Sequence, residues 1–152
     1  MALTILRLQS AREFTVTSGL DVALSTQSGQ TPNLNIGIDP YTSNRNACSS
    51  PPCVAWMAPV SAGAFTSAAP GTYGNLGYNN MKGPGVFTLD MNVTRSFPIR
   101  ERMSLQFRAE AFNLPNHANF SNPTSALNSG NFGLITAAGD PRIIQLAMKF
   151  LF

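Results

Sequence analysis

The sequence predicts an all-β fold, an antiparallel meander of about four strands joined by one short turn and two long irregular segments. Three observations support this prediction. Apolar residues recur at every second position in four segments, at about 5–17, 86–99, 103–114 and 143–152. Only 11% of the 152 residues are charged, whereas 43% are hydrophobic. The connecting segments 19–85 and 115–141 are rich in Gly, Pro, Asn, Ser and Thr and lack regular periodicity.

The last segment has the clearest alternation. Its polar side carries Gln145 and Lys149, with Ala147 between them. Its other side is apolar throughout, with Ile144, Leu146, Met148, Phe150 and Phe152. In water such a face needs a second protein layer, whereas in an outer membrane lipid can cover it.

The segment 86–99 repeats this pattern. Its apolar side carries Phe87, Leu89, Met91, Val93, Phe97 and Ile99. Its polar side carries Thr88, Asp90, Asn92, Thr94 and Ser96, and such a side requires contact with water. Arg95 alone interrupts the apolar side, close to the strand end, from where its guanidinium can reach a headgroup region.

The segment 103–114 follows a polar turn of Arg100, Glu101 and Arg102. It also fits a helix, because its apolar residues recur at spacings of three and four. The short turn favours a hairpin instead, in which Gln106, Arg108 and Glu110 extend the polar side.

The first segment, 5–17, is the least regular of the four. Leu6, Leu8, Phe14 and Val16 share one side, which Ser10 and Arg12 interrupt. We expect a strand here as well.

The one short turn of this chain lies between its two long loops, and short turns alternate with long loops in transmembrane barrels of the bacterial outer membrane. We therefore expect the two long loops to be extracellular and the chain to reside in the cell outer membrane of a Gram-negative-type bacterium. A polar row would then face the lumen, formed by Asp90, Asn92, Gln106, Arg108, Glu110 and Lys149. Four strands cannot close a barrel, so we expect the chain to belong to a longer protein, to self-assemble or to leave two sheet edges open.

Several stretches match a known family in order along nearly the whole chain. They are FTVTSG at 14–19, APGTYGNLG at 69–77, GPG at 83–85 leading into FTLDMNVTRSFPI, then LQFRAEAFNLPNHANF, FGLIT and GDPRIIQLAMKFLF. The most specific is E-x-F-N-x-x-N-H-x-N-F at 110–120, followed by the last strand ending in Phe. The chain resembles the C-terminal part of TonB-dependent receptors, in particular the Oar-like type with a carboxypeptidase-regulatory-like domain.

This resemblance implies a large plugged barrel that imports a scarce ligand with energy passed through TonB. The plug domain and the TonB box are absent from the 152 residues, so TonB would act only through the missing plug. The other implied partners are outer-membrane lipid, the remainder of the barrel and the barrel-assembly machinery. The resemblance identifies Ile144, Leu146, Met148, Phe150 and Phe152 as the assembly signal.

The sequence contains few residues suited to other chemistry. Cys48 and Cys53 form either a small loop disulfide or two free thiols, and too few ligands accompany them for a zinc site. His117 is the single histidine, so we expect a loop residue and not a member of a catalytic triad or metal cluster.

The aromatic loop Tyr73–Asn80 could contact a carbohydrate or a chelate, although its Gly and Asn residues fit turns better. The arginines are scattered, which disfavours nucleic acid as a partner. We expect no catalytic residues, no cofactor and no metal, and no enzyme activity. The alternative to a transporter fragment is a soluble β-sandwich that serves in adhesion or carbohydrate binding.

Overall fold

The computed structural model describes residues 1–46 and 53–152, which form two compact units. The sheet unit comprises Met1–Ser10, Gly85–Asn119 and Gly139–Phe152. The loop unit comprises Ala11–Pro84 and Phe120–Ala138. The four long strands therefore belong to one unit, and most of the residues that connect them belong to the other.

Ten strands occur in the described part of the chain, four of them long. They are β1 (Ala2–Gln9), β2 (Glu13–Phe14), β3 (Asn33–Leu34), β4 (Val54–Ala55), β5 (Phe65–Thr66), β6 (Met81–Lys82), β7 (Val86–Arg100), β8 (Met103–Phe112), β9 (Leu134–Ile135) and β10 (Ile143–Leu151). The long strands form one antiparallel sheet in the order β1-β7-β8-β10. The predicted antiparallel meander is confirmed, and 103–114 forms a strand rather than a helix.

The first strand differs from its predicted bounds. It begins at Ala2, and its ladder with β7 ends at the pair Gln9 and Val86. The expected continuation to residue 17 is wrong, because Phe14 and Val16 are buried in the core of the loop unit. The interruption of the apolar side at Ser10 and Arg12 marks the place where the chain leaves the sheet.

The sheet unit has one apolar and one polar face, and the apolar face is uncovered. Leu8, Leu146 and Met148 are each about 70% exposed. Phe107 and Phe150 lie on the same face, 39% and 45% exposed. On the polar face, by contrast, Asn92 and Thr94 are half-buried and so less exposed than the apolar residues. This sheet has the reverse of a soluble protein's arrangement, in which apolar side chains are buried.

The hydrophobic core lies wholly in the loop unit, as every buried hydrophobic residue of the described part belongs to it. The short strands pair there as β2 with β6, β3 with β5 and β4 with β9, beside a 3-10 helix at Val60–Ala62. Phe65 and Phe132 meet edge to face with ring centroids 5.6 Å apart. The long connections thus contain more order than their irregular sequence predicts.

The structure also contains no helix, within residues 1–46 and 53–152, with the length and apolar character needed to cross a membrane.

Candidate functional site

The polar face of the sheet unit is the first candidate site. The structure places all six residues of the predicted polar row on this face: Asp90, Asn92, Gln106, Arg108, Glu110 and Lys149. Asn92 lies directly opposite Glu110, and Gln106 lies opposite Lys149. That this row lines a lumen stays a prediction.

Glu110 is the centre of a hydrogen-bond network on the polar face. Its Oε1 accepts a hydrogen bond of 2.7 Å from Asn92 Nδ2 and forms an ion pair with Arg108. Thr94 Oγ1 in turn donates to Asn92 Oδ1 at 3.0 Å. Arg108 is 53% exposed, so solvent screens the ion pair and the pair contributes little to stability.

A pocket of about 200 Å³ lies beside this network. Leu3, Ile5 and Phe112 supply apolar walls, and Asp90, Arg108 and Glu110 supply charge. Such a lining can contact the carbon skeleton of a solute while its carboxylates accept hydrogen bonds.

The end of the sheet that joins the loops carries the second candidate site, which is built around Asn113. Asn113 is buried and has a left-handed backbone, with a φ of 49°. Its side-chain Oδ1 accepts from the backbone N–H of His117 at 3.0 Å. Its Nδ2 donates to the carbonyl oxygens of His117 at 2.9 Å and Asp140 at 3.1 Å. Its own N–H donates to Asp90 Oδ1 at 2.8 Å.

Two further asparagines extend these contacts to the neighbouring strands. The ladder between β7 and β8 ends at Met91, so β8 does not reach Phe87. The amide of Asn119 takes the place of a strand partner, accepting from the Phe87 N–H at 2.8 Å and donating to its carbonyl at 3.0 Å. Asn116 Oδ1 accepts from the Arg142 N–H at 3.0 Å, next to the start of β10. We call Asn113, Asn116 and Asn119 the asparagine clasp.

His117 packs beside the asparagine clasp. Its ring meets Phe87 edge to face with centroids 5.5 Å apart, and its Nδ1 lies 3.3 Å from Asn119 Oδ1. The side chain is exposed. No three His, Cys, Asp or Glu residues in the described ranges 1–46 and 53–152 lie close enough to hold a metal ion.

A second cavity, of about 350 Å³, lies next to the clasp on the polar face. Val86, Phe112 and Ile143 line it together with Asn113 and Asp90. Asp90 and Phe112 also line the smaller pocket, so the two cavities are neighbours along the face. The sequence identifies the motif around the clasp but not the roles of its asparagines. The left-handed backbone at Asn113 and Asn116 fits the known tolerance of Asn for that conformation.

A comparison with protein-family models identifies the fold family. Residues 2–145 match the model described as an outer membrane beta barrel domain. The chain belongs to this family. Searches among curated proteins and among solved structures found no match.

Membership in the barrel family explains the uncovered face of the sheet. In an outer-membrane barrel the apolar side chains on the outer face contact lipid, while the interior is polar. The chain is therefore an outer-membrane protein, and the exposed Leu, Met and Phe side chains on the apolar face of its sheet meet hydrocarbon. The alternative of a soluble β-sandwich does not agree with this family.

Strand β10 of the sheet unit contains the residues predicted to form the assembly signal. Ile144, Leu146, Met148 and Phe150 lie on the lipid-facing side, and Phe152 follows the strand. The rings of Phe150 and Phe152 are 6.3 Å apart, tilted by 33°. These residues thus form one continuous apolar stripe, as alternation predicts, and their role as an assembly signal stays a prediction.

The loop Tyr73–Asn80 has mainly structural asparagines. Asn75 Oδ1 accepts from the Leu34 N–H at 2.7 Å, and Asn79 has a φ of 55°. Tyr73 and Tyr78 are exposed. Of the predicted disulfide pair, Cys48 lies outside the described residues, so the bond to Cys53 stays a prediction.

Proposed function

We propose that the chain forms part of a TonB-dependent receptor that takes up a scarce ligand across the outer membrane. The polar face would line the lumen, and the loop unit would be extracellular. The plug and the remaining strands would come from the rest of a longer protein, and TonB would act only through that plug. The proposal assigns the chain no catalytic role.

The observation that carries the proposal is the asparagine clasp. The stretch 110–120 is the most specific part of the resemblance to TonB-dependent receptors. Each asparagine of this stretch forms a side-chain hydrogen bond to the backbone of another segment. Asn113, Asn116 and Asn119 bind the backbone of residues in or next to three different strands or loops. A chance match would not require asparagine at all three positions.

The polar face supports transport in a second way. Asp90, Asn92, Arg108 and Glu110 form a polar, hydrogen-bonding surface beside two adjoining cavities. A polar solute can exchange hydrogen bonds with such a surface as it passes. The asparagine clasp would hold the strand ends beside that surface in place.

The proposal also includes assembly. The apolar stripe of β10 would be recognised by the barrel-assembly machinery, because alternate hydrophobic residues ending in an aromatic residue characterise such strands. Changing Phe152 to Ser would then lower the amount of protein inserted in the outer membrane.

An antibody against residues 20–30 of the loop unit provides the test. In outer membranes of the source bacterium we expect it to detect a polypeptide several times longer than 152 residues. Chemical cross-linking of intact cells should shift this band by the mass of TonB, and a strain without TonB provides the control. A band of only 152 residues that forms no TonB adduct would contradict the proposed function.

A further inference from the structure

Three arginines lie in or near the turn where β7 leads into β8. Arg95, Arg100 and Arg102 are all exposed. Glu101 is the single acidic residue among them, so residues 95–102 carry three positive charges and one negative charge, a net charge of +2. The described ranges of the chain contain one ion pair, between Arg108 and Glu110. The guanidinium groups at the turn therefore have no carboxylate partner there.

Arg95 lies on the lipid-facing side of the sheet. It is opposite Phe107 in the ladder, between rows of apolar side chains. Its Cζ lies 5.2 Å from the ring centroid of Phe97, which is two residues nearer the turn. The side chain thus leans over an aromatic ring toward the turn, and the cation–π contact holds the charge there.

Arg100 reaches the same face through a β-bulge. Regular alternation from Phe97 would place residue 100 on the polar side. The register shifts between Pro98 and Arg100, however, so that Arg100 pairs with Met103. Met103 shares its face with Leu105 and Phe107. Bulges commonly redirect a side chain in this way.

We propose that this arginine rim, made of Arg95, Arg100 and Arg102, binds the headgroup of an anionic phospholipid. Guanidinium groups form paired hydrogen bonds with phosphate oxygens. Next to the rim, Phe97, Leu105 and Phe150 form an apolar row across the sheet, on which acyl chains can lie. The combination of a +2 rim and an apolar row matches a phospholipid better than a free phosphate ion.

The geometry agrees with one headgroup layer for both arginines. Arg95 and Arg100 are opposite Phe107 and Met103, four residues apart on β8. At about 3.3 Å per residue this is about 13 Å along the strand. With the usual barrel tilt it corresponds to about 10 Å in depth. The lean of Arg95 over Phe97 shortens this distance, so both guanidinium groups can approach one phosphate layer. This inference depends on the outer-membrane family and not on the proposed role in uptake.

The test uses the full chain in micelles of dodecyl maltoside, titrated with phosphatidylglycerol that carries a fluorescent acyl chain. Phosphatidylcholine with the same label provides the comparison. We expect tighter binding of phosphatidylglycerol to the unaltered chain. Each guanidinium near an anionic surface contributes roughly fivefold, so the double variant Arg95→Gln, Arg100→Gln should bind it about twenty-five-fold more weakly.

Two control variants separate the rim from general charge and from misfolding. Arg7→Gln with Arg12→Gln removes the same charge elsewhere and should leave the affinity unchanged. Arg95→Lys with Arg100→Lys keeps the charge and should lose only about threefold, since ammonium groups lack the paired geometry.

Equal binding of the two lipids would overturn the proposal. An unaffected Gln variant would do so too, as would a charge control that loses as much as the rim variant. Displacement of the labelled lipid by millimolar inorganic phosphate would show a phosphate-ion site instead.

Discussion

Replacing Asn113 with alanine should be one of the most damaging single changes in the sheet unit. The substitution removes three side-chain hydrogen bonds, two with His117 and one with Asp140. Each contributes about 1 kcal/mol to stability, so the loss is about 3 kcal/mol. The left-handed backbone, with a φ of 49°, costs alanine about 1 kcal/mol more. We therefore expect Asn113→Ala to lower the free energy of unfolding by about 4 kcal/mol.

A glycine at the same position separates the two contributions. Asn113→Gly loses the same hydrogen bonds but tolerates the backbone, so we expect a loss of about 3 kcal/mol. The measurement is urea unfolding of the full chain in detergent micelles, followed by far-ultraviolet circular dichroism. Asn131→Ala provides the matched control, because Asn131 is exposed and its side chain makes no hydrogen bond within the described residues. If both Asn113 variants stay within 0.5 kcal/mol of the unaltered chain, about the scatter of surface substitutions, the clasp does not stabilise the sheet.

Two further predictions concern the stability of the two units and the pH dependence of a loop. Phe65 is fully buried in the loop unit, so Phe65→Ala should lower the free energy of unfolding by about 3–5 kcal/mol. Phe150→Ala should lower it by only about 2 kcal/mol, because detergent fills the space that the ring leaves. Similar losses for the two variants would contradict the conclusion that Phe150 faces lipid. The backbone N–H of Ser25, followed by that of Thr26, lowers the pKa of Asp21 below its usual value, although partial desolvation opposes them. The stabilisation is therefore present above pH of about 4 and disappears as the pH falls through the lowered pKa. Protease cleavage in residues 20–30 should rise with acid in the unaltered chain, and Asp21→Asn should remove that dependence; an unchanged profile would refute the link.

Alternation alone predicted the four long strands and the two faces of the sheet. This succeeded because a period of two is set by strand geometry and requires no knowledge of distant contacts. Its failure in the first segment is instructive. Leu8 and Phe14 are equally apolar, but one faces lipid and the other is buried in the loop unit. Sequence periodicity does not distinguish these two apolar surroundings.

The asparagine clasp and the core of the loop unit depend on contacts between residues that follow no regular spacing in the sequence. Gln30 is buried, and its side chain contacts Asp21, Ser25 and Ala23. Such contacts depend on loops that return to the same place, which a single sequence does not reveal. The bulge at Pro98 is an intermediate case, since proline in a strand often accompanies irregular pairing. The position of Arg100 became clear only from the register.

The two outer strands of the sheet have a further consequence for insertion. β10 has nine residues and β1 has eight, and each is hydrogen-bonded along one side in the sheet order. About half of their peptide groups point away from the sheet, which is about eight donors and acceptors on each side. Hydrocarbon offers these groups no partner, at a cost of several kcal/mol apiece. The sum exceeds the whole stability of an ordinary domain. These two strands must therefore insert into the membrane at the same time as their outer edges form hydrogen bonds with further strands.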